Sequence, residues 1–241
     1  MPVPETQIDA ARLATETERI KAAYGRRQCG ELYSWLNPGH LFLMQERERR
    51  VLTLLRSLGL SRLEDRKILE IGCGTGLWLG EFVKWGAHPE NLTGIDLFFE
   101  DLAAARSEQA ARVGLAQANA AFLPFAAASF DLVLQSLVFT SILDPAMRQA
   151  VAGEMLRALK PQGFILWYDY HVNNPWNPDV RGVKKGEIHR LFPGCRITLQ
   201  RVTLAPPLAR LLAPYSFTLC ALLEKLRLLN THYLGVIRKA T

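Results

Sequence analysis

The sequence lacks the patterns that mark metal sites, disulfide scaffolds and membrane spans. Its four cysteines, at positions 29, 73, 195 and 220, form neither a CxxC pair nor a cluster with histidines. This scatter argues against a disulfide framework or a zinc site, so we expect no bound metal and a reducing environment. No apolar run reaches the ~18–20 residues needed to span a bilayer. The first nine residues are polar and contain proline, unlike a signal peptide, and we expect a cytoplasmic protein.

Acidic residues become scarce towards the C-terminus of the 241-residue chain. Residues 181–241 contain eleven Lys or Arg and two Glu, whereas residues 1–180 contain 18 basic and 21 acidic residues. A basic segment can face nucleic acid, anionic lipid or a phosphorylated substrate. Here the basic residues are dispersed among apolar ones, and no RNA-binding motif with interleaved aromatics is present. A solvated basic surface is therefore favoured, and we expect no nucleic-acid partner.

The pattern that organises the chain is a glycine-rich stretch in its first third. The segment Lys67-Ile68-Leu69-Glu70-Ile71 is apolar with one acid and rich in β-formers, which predicts a buried strand. Glycines follow at positions 72, 74 and 76, and a helical spacing of apolar residues begins at Leu77. Strand, glycine turn and helix together make a site where backbone N–H groups can approach a ligand closely.

A second strand supports this interpretation. Thr93-Gly94-Ile95 is short and apolar and leads into Asp96, about twenty positions beyond Gly76. An acid at that distance holds the ribose of a nucleoside in βαβ units, because it accepts hydrogen bonds from the sugar hydroxyls. Position 77 is Leu, so the last glycine of the nicotinamide-binding pattern Gly-x-Gly-x-x-Gly is absent. A tight turn followed by a solvated aspartate is the simpler alternative.

Together with later blocks, these residues resemble the class I S-adenosylmethionine-dependent methyltransferases, in their small-molecule, type 11-like branch. The blocks that occur in the family's order are Glu70 to Gly76, Gly94 to Asp96, Phe122 to Phe125, Ser129 to Val133 and Leu159 to Phe164. The resemblance implies S-adenosyl-L-methionine as the cofactor. The positions that it places against the cofactor are Glu70, Gly72, Cys73, Gly74, Gly76, Asp96, Leu97, Asn119, Ala120 and Gln135. At position 119 the family usually has Asp, which contacts the adenine amino group; an Asn oxygen can still accept, without charge.

The order of predicted elements indicates one α/β domain. Strands alternate with helices from residue 67 to residue 170, which predicts a doubly wound, mostly parallel, Rossmann-like sheet, and the resemblance extends it to seven strands with an antiparallel last strand. We expect a helical N-terminal cap over residues 1–60, a cofactor-binding core over 66–170 and an acceptor-side addition over 171–241. Within this plan we expect a turn at residues 37–39, a helix over 45–58, a helix over 98–112 and a turn at residues 160–163.

The acceptor side should lie beyond the carboxyl ends of the strands, where ligands bind in such sheets. His171 follows the fifth strand and could take a proton from an attacking hydroxyl, and His40 in the N-terminal cap is the second candidate base. We expect Tyr33, Asn37 and Tyr170 to contact the acceptor. The alternatives are a surface-loop histidine at position 171 and cap residues that only anchor the N-terminal helices.

A long apolar stretch over residues 211–223 is unusual for a surface element. It could cover the active site, bind a greasy substrate or form a homodimer face. Packing on the sheet explains it equally well. Peripheral membrane contact is left open for the protein as a whole, without assignment to a segment.

The function that these features predict is S-adenosylmethionine-dependent methyl transfer to a small molecule or saccharide. Oxygen is the expected target atom, because a candidate base is present and a nucleic-acid signature is absent. Methylation of nitrogen or carbon in a small metabolite is the alternative of the same class. A cofactor-binding module without catalysis, acting as a regulator or partner, is the alternative of another class.

Overall fold

The structure is a computed structural model that describes residues 10–26, 30–98, 100–101 and 112–240. In that part of the chain the helices are α1 (Ala10–Gly25), α2 (Pro38–Ser57), α3 (Leu77–Lys84), α4 (Pro145–Ala158), α5 (Lys185–Leu191), α6 (Pro206–Leu212) and α7 (Phe217–Leu226). The strands are β1 (Ile68–Ile71), β2 (Leu92–Asp96), β3 (Gly114–Gln117), β4 (Phe130–Ser136), β5 (Leu159–Tyr170), β6 (Cys195–Leu204) and β7 (Asn230–Lys239). Most of the predicted helix over 98–112 lies outside the described residues.

The strands form one seven-stranded sheet in the order β3-β2-β1-β4-β5-β7-β6. Strands β1 to β5 pair in parallel, whereas β7 is antiparallel to both of its neighbours, β5 and β6. The predicted doubly wound, mostly parallel, seven-stranded sheet is therefore confirmed. Because β1, β2, β4 and β5 run in one direction, the residues that follow them meet at a single edge, here called the carboxyl edge.

The sheet is covered by helices on both faces, and each face has its own core. On one face, α4 packs on the sheet through residues such as Val151 and Met155, beside Trp167 of β5. On the other face, α2 and α3 pack through residues such as Val51 and Phe82. A third, smaller cluster joins α2 to β6, α6 and α7 through Phe42, Leu43, Leu204, Ala209, Ala213 and Cys220. Helix α6 thus packs mainly on α2, whereas α7 packs on β6 and on α6.

Two predicted turns are wrong, for different reasons. Residues 37–39 do not form a free turn, because Asn37 caps helix α2 and Pro38 occupies its first position. The helix therefore begins seven residues earlier than the predicted Gln45. Residues 160–163 do not separate α4 from the next strand, because β5 begins at Leu159 and passes through them. The register between β4 and β5 shifts there, and a Cβ on Gly163 would lie 2.8 Å from the Asp131 carbonyl oxygen. That glycine permits a close approach between strands instead of ending a helix.

Candidate active site

The glycine turn after β1 lies at the carboxyl edge of the sheet. Gly72, Gly74 and Gly76 have φ values of +66°, +49° and +79°, a region that side-chain-bearing residues rarely adopt. The Cys73 N–H donates to the Ile95 carbonyl of β2 at 2.9 Å, and the Gly76 N–H donates to the Cys73 carbonyl at 2.8 Å. The alternating glycines are thus required by the backbone conformation of the turn.

Helix α3 begins directly at this turn. Gly76 is its N-cap residue and, being a glycine, has no side chain that could cap the helix. The first N–H groups of a helix have no intrahelical partner, and the helix dipole favours negative charge at this end. The N-terminus of α3 can therefore receive an anionic group such as a carboxylate.

Asp96, at the end of β2, braces the glycine turn. Its Oδ2 accepts a hydrogen bond from the Gly74 N–H at 2.8 Å, and its Oδ1 accepts from the Phe98 N–H at 3.0 Å. A carboxylate offers about four lone-pair positions, so about two remain for the hydroxyl donors of a ribose. Leu97 follows and packs partly buried against the core.

Glu70 lies beneath the turn and has an unused acceptor. Its side chain is buried, and its Oε2 has no hydrogen-bond partner in the described part of the chain. Burial raises the pKa of Glu70 well above its ordinary value, an effect that the nearby Arg47 charge opposes. A Cβ added to Gly74 would meet no atom of the described residues within 4 Å, so that part of the chain leaves the space in front of the turn open. A buried acceptor without a partner among the described residues fits the ammonium-bearing end of S-adenosylmethionine.

The residues predicted on the adenine side order their own loops. The Asn119 Oδ1 accepts from the Ala121 N–H at 2.9 Å, and its Nδ2 donates to Thr17 Oγ1 of α1 at 3.1 Å. Ala120 lies between these residues and packs against the core. Gln135 is fully buried, and its Oε1 accepts from the Val138 N–H at 3.2 Å. For a direct contact with a cofactor, Asn119 and Gln135 each retain one lone pair on the amide oxygen and one N–H on the amide nitrogen, and the contact stays a prediction.

The loop after β4 is held by a buried carboxylate that the sequence did not single out. Asp169 Oδ2 accepts from the Thr140 N–H at 3.1 Å, and Oδ1 accepts from the Tyr170 N–H at 2.8 Å. Burial raises the pKa of Asp169 to about 7. Leu137 in this loop has a φ of +62°, a conformation that costs energy in a non-glycine residue and occurs often at functional sites.

Helix α1 covers the same edge from the N-terminal side. Glu16 Oε1 accepts from the Leu143 N–H at 2.5 Å, Arg19 donates to the Ser141 carbonyl, also at 2.5 Å, and the Tyr24 and Phe98 rings lie 5.2 Å apart. This helix therefore fixes the loop after β4 and lies beside the chain that follows Asp96. Residues 1–9 and 27–29 of the predicted cap lie outside the described residues.

His171 lies at the end of β5, as expected, but in a more enclosed setting than a surface loop. Its side chain is buried, and its ring stacks on Tyr233 with centroids 4.4 Å apart. Its Nε2 lies 2.9 Å from the Asn230 carbonyl oxygen, so Nε2 carries the proton and Nδ1 is the nitrogen that can accept one. Burial lowers the pKa of His171, so the imidazole is neutral near pH 7. Its role as a base stays a prediction.

The second candidate base lies at the start of α2. His40 is half-buried, and the edges of Tyr33 and Trp35 pack against it with centroids 5.9 and 5.5 Å away. Burial, with the charges of Arg47 and Arg210, lowers the pKa of His40. The three residues predicted to contact the acceptor differ in how many contacts they already make within the structure.

Asn37 is the most engaged of these residues, because its Oδ1 accepts from the N–H groups of Gly39 and His40 as a helix cap. Tyr33 is exposed, and Tyr170 packs on the His232 ring with centroids 3.9 Å apart. Their contacts with an acceptor stay predictions.

Two functional candidates were missed by the sequence analysis. Arg47 of α2 lies with its guanidinium carbon 4.3 Å from the Trp78 ring centroid, and it makes no hydrogen bond or ion pair within the described residues. Burial lowers the pKa of Arg47. The sequence feature that could have identified Arg47 is its four-residue spacing from Leu43 and Val51, followed by Leu55, all of which are buried on one face of α2.

His232 of β7 is the other missed residue. Its ring stacks on Tyr168 and Tyr170, and burial lowers its pKa to about 3. Arg47 lies over Trp78, and the Trp78 and Tyr168 rings are 6.2 Å apart. Since Tyr168 stacks on His232, Arg47 and His232 share the α2 face of the sheet. Within the described ranges, no group of three or more His, Cys, Asp or Glu side chains is placed to hold a metal ion. The helices of the same ranges include none that could cross a membrane.

Comparison with known proteins identifies the part of the chain that carries this site. Residues 68–163 match the family model described as a methyltransferase domain. An uncharacterized protein of Haemophilus influenzae is 35% identical over 112 residues, which cover 44% of this chain and 43% of that protein. The O-methyltransferase rstn1 of Aspergillus nomiae is 33% identical over 133 residues, which cover 47% of this chain and 58% of that protein. The chain thus spans about half the length of these curated relatives.

Solved structures share the fold at low sequence identity. A S-adenosylmethionine-dependent methyltransferase from Methanosarcina mazei superposes with a TM-score of 0.56 at 19% identity, over 76% of this chain and 96% of that one. A protein from Thermotoga maritima, described as a S-adenosylmethionine-dependent methyltransferase and possible histamine N-methyltransferase, superposes with a TM-score of 0.58 at 17% identity, over 94% and 99%. At this identity, the likeness concerns the fold.

Proposed function

We propose that this chain, which belongs to the class I S-adenosylmethionine-dependent methyltransferases, transfers a methyl group to an oxygen atom of a small molecule or saccharide. The observation that carries the proposal is the carboxyl edge itself. There the Gly74 N–H is bonded to Asp96, a Cβ on Gly74 would meet no atom of the described residues, and the buried Glu70 keeps one oxygen without a partner in the described part of the chain. S-adenosylmethionine is the cofactor that this family uses, and it supplies an electrophilic methyl group when bound.

The residues of the carboxyl edge would hold and orient the reacting groups. Asp96 is assigned to the ribose hydroxyls, Glu70 to the ammonium group, and the N–H groups at the start of α3 to the carboxylate. Leu97, Asn119, Ala120 and Gln135 are assigned to the adenine side, with α1 limiting access of water. Because displacement at a sulfonium methyl needs little covalent help, holding nucleophile and methyl in line is the main task of such a protein.

A hydroxyl acceptor needs a group that takes its proton. His171 offers Nδ1, because Nε2 is committed to the Asn230 carbonyl, and its lowered pKa keeps it neutral near pH 7. His40 offers an alternative base among the aromatic rings at the start of α2. Tyr33, Asn37 and Tyr170 are the proposed acceptor contacts. The O-methyltransferase among the partial relatives adds support for oxygen as the target.

One observation favours a second candidate of the same class. Burial of His171, and its stacking on Tyr233, restrict the access of an acceptor to this base. A nucleophile that needs little deprotonation, such as an amine, would then react by alignment alone. Nitrogen methylation of a small metabolite is therefore the alternative, and a cofactor-binding module without catalysis is the alternative of another class.

The decisive experiment transfers an isotope-labelled methyl group into an extract of whole cells and identifies the labelled product. The control is Glu70→Ala protein, which should give little labelled product if Glu70 holds the cofactor. Calorimetry should show binding of S-adenosylhomocysteine and none of NAD. Cofactor binding without a labelled product in any extract would favour the non-catalytic module, and binding of NAD alone would refute the assignment.

A further inference from the structure

Helix α7 is anchored through a buried inner face. Cys220 and Glu224 are its buried residues. Glu224 Oε1 accepts from Arg50 Nε of α2 at 3.1 Å, and the main-chain carbonyl of Glu224 accepts from Asn230 Nδ2 at 3.0 Å. The Phe217 ring packs on Phe42 of α2 with centroids 5.6 Å apart. These contacts fix which side of α7 points to solvent.

The outward side of α7 is apolar instead of polar. Leu219, Leu222 and Leu226 recur at a spacing of three and four residues, which places them on one side of α7, and Tyr215 lies in the turn just before the helix. All four are exposed, Tyr215 at 87% and Leu226 at 64%. The exposed set, here called the α7 apolar face, is Leu211, Tyr215, Leu219, Leu222, Leu226 and Leu228. An exposed apolar surface of this extent indicates an interaction site.

The charges around the α7 apolar face are of one sign. Lys225 and Arg227 are exposed at the end of α7, and Arg210 lies on α6. Residues 188–241 contain a single acid, Glu224, and it is buried on the opposite side of the helix. Cations therefore border the α7 apolar face, and residues 188–241 contribute no exposed carboxylate that would offset their charge.

The same surface continues to the predicted acceptor residues. The Arg210 guanidinium carbon lies 5.7 Å from the Tyr33 ring centroid, and Tyr33 packs against His40. A Cβ on Gly39 would lie 2.5 Å from the Arg210 Cα, so α6 crosses the start of α2 in close contact. Leu32 and Leu36, whose side chains are exposed, lie on either side of Tyr33 in the segment that precedes α2.

We propose that the α7 apolar face binds the surface of an anionic phospholipid bilayer, with α7 lying parallel to the membrane plane. An interfacial helix combines an apolar side with flanking Lys or Arg, and membrane affinity rises with buried apolar area and with attraction to anionic lipid. A bilayer accounts for both the leucines and the cations. A homodimer face would bring Lys225 and Arg227 against equal charges, and an RNA site would not use a row of leucines.

The test is co-sedimentation of the full chain with vesicles, without any methyl acceptor. We expect binding to phosphatidylcholine vesicles that contain phosphatidylglycerol, and much weaker binding to vesicles of phosphatidylcholine alone. The double variant Leu222→Gln with Leu226→Gln should bind at least about 10-fold more weakly, because it removes apolar surface that would enter the bilayer. The matched control is Phe122→Gln, since Phe122 is 59% exposed and Leu222 is 54% exposed, but Phe122 lies in the turn after β3.

Neutralising the flanking cations tests the electrostatic part separately. The double variant Lys225→Gln with Arg227→Gln should weaken binding to the anionic vesicles roughly 30-fold, about 5-fold for each charge. Equal binding of the wild type to both kinds of vesicle, or to neither, would overturn the proposal. A dimer seen in light scattering that dissociates when the leucines are substituted would also overturn it. So would displacement of the protein from vesicles by RNA, if the leucine variants bind vesicles as well as the wild type does. Failure here leaves methyl transfer untouched, because no acceptor or cofactor enters the assay.

Discussion

Substituting Asp96 by alanine is the sharpest test of the cofactor assignment. The side chain has two tasks in the structure, since Oδ2 accepts from Gly74 and Oδ1 from Phe98. Its proposed third task is to accept hydrogen bonds from the ribose of the cofactor. Alanine removes all three, so the expected loss in affinity comes from the ribose bonds and from a loosened glycine turn.

The magnitude follows from the charge of the acceptor. Hydrogen bonds to a charged group contribute ~1.5–3 kcal/mol, so Asp96→Ala should weaken S-adenosylhomocysteine binding roughly 10- to 150-fold. Asp96→Asn should not rescue it fully. If the Asn oxygen accepts from Phe98, the amide nitrogen faces the Gly74 N–H, and two donors then oppose each other.

Calorimetric titration with S-adenosylhomocysteine, well below the melting temperature, measures this loss. The matched control is Asp131→Ala. Asp131 also accepts two hydrogen bonds, one from the Lys67 N–H at 3.0 Å and one from Lys160 Nζ at 2.8 Å. It lies near the start of β4, however, at the edge of the sheet opposite to the carboxyl edge. The control should lower the melting temperature and keep cofactor affinity. Wild-type affinity in a folded Asp96→Ala protein would refute the ribose role.

Four further predictions address neighbouring groups. Gly74→Val should weaken S-adenosylhomocysteine binding more than Asp96→Ala, as calorimetry would show, because its side chain fills the open space before the turn and must adopt a φ of +49°. His171→Ala should lower kcat by ~10²–10⁴ with cofactor affinity kept; since burial lowers the pKa of His171, wild-type kcat should be flat near pH 7 and fall only below pH ~6.5. The pKa of His232 is lowered to about 3, so the wild type should lose stability as pH falls from ~6.5 towards 3, by up to ~1.4 kcal/mol per pH unit. His232→Phe should flatten that slope in urea denaturation. Because the charge of Arg47 acts on Glu70, we propose that Arg47 helps to hold the amino-acid end of the cofactor. Arg47→Met should then weaken binding of S-adenosylhomocysteine but not of adenosine, and equal losses for both ligands would contradict this role.

The parts of the site that the sequence predicted are those fixed by short spacing along the chain. Strand, glycines and Asp96 lie within one βαβ unit, so their geometry follows from local backbone rules. The parallel, doubly wound arrangement of the strands followed from the same alternation, and the antiparallel last strand from the resemblance. These predictions needed no knowledge of which distant segments meet.

The parts that were missed depend on contacts between distant segments. Arg47 and His232 are 185 positions apart and are brought to one sheet face by α2 and β7. The charged run at residues 46–50 resembles a solvated helix face, and only the burial of Leu43 and Val51 on either side shows that Arg47 points inward. Residues 37–39 were predicted to form a turn because the sequence Asn-Pro-Gly is compatible both with a turn and with the start of a helix. Which of the two forms depends on the packing of α2 on α6.

Two buried acids near the carboxyl edge differ in how far the fold satisfies their hydrogen bonds. Glu70 and Asp169 are both buried, and burial raises the pKa of each carboxyl. Two hydrogen bonds from backbone N–H groups offset part of the free-energy cost of burying Asp169, and they fix the loop after β4. Glu70 keeps an oxygen without a partner in the described chain, although it stands between a helix start and a glycine turn. A buried acceptor left unpaired destabilises the folded chain by ~1–3 kcal/mol. Asp169 is thus explained by the fold alone, whereas Glu70 is explained only if a donor-bearing ligand completes its hydrogen bonds.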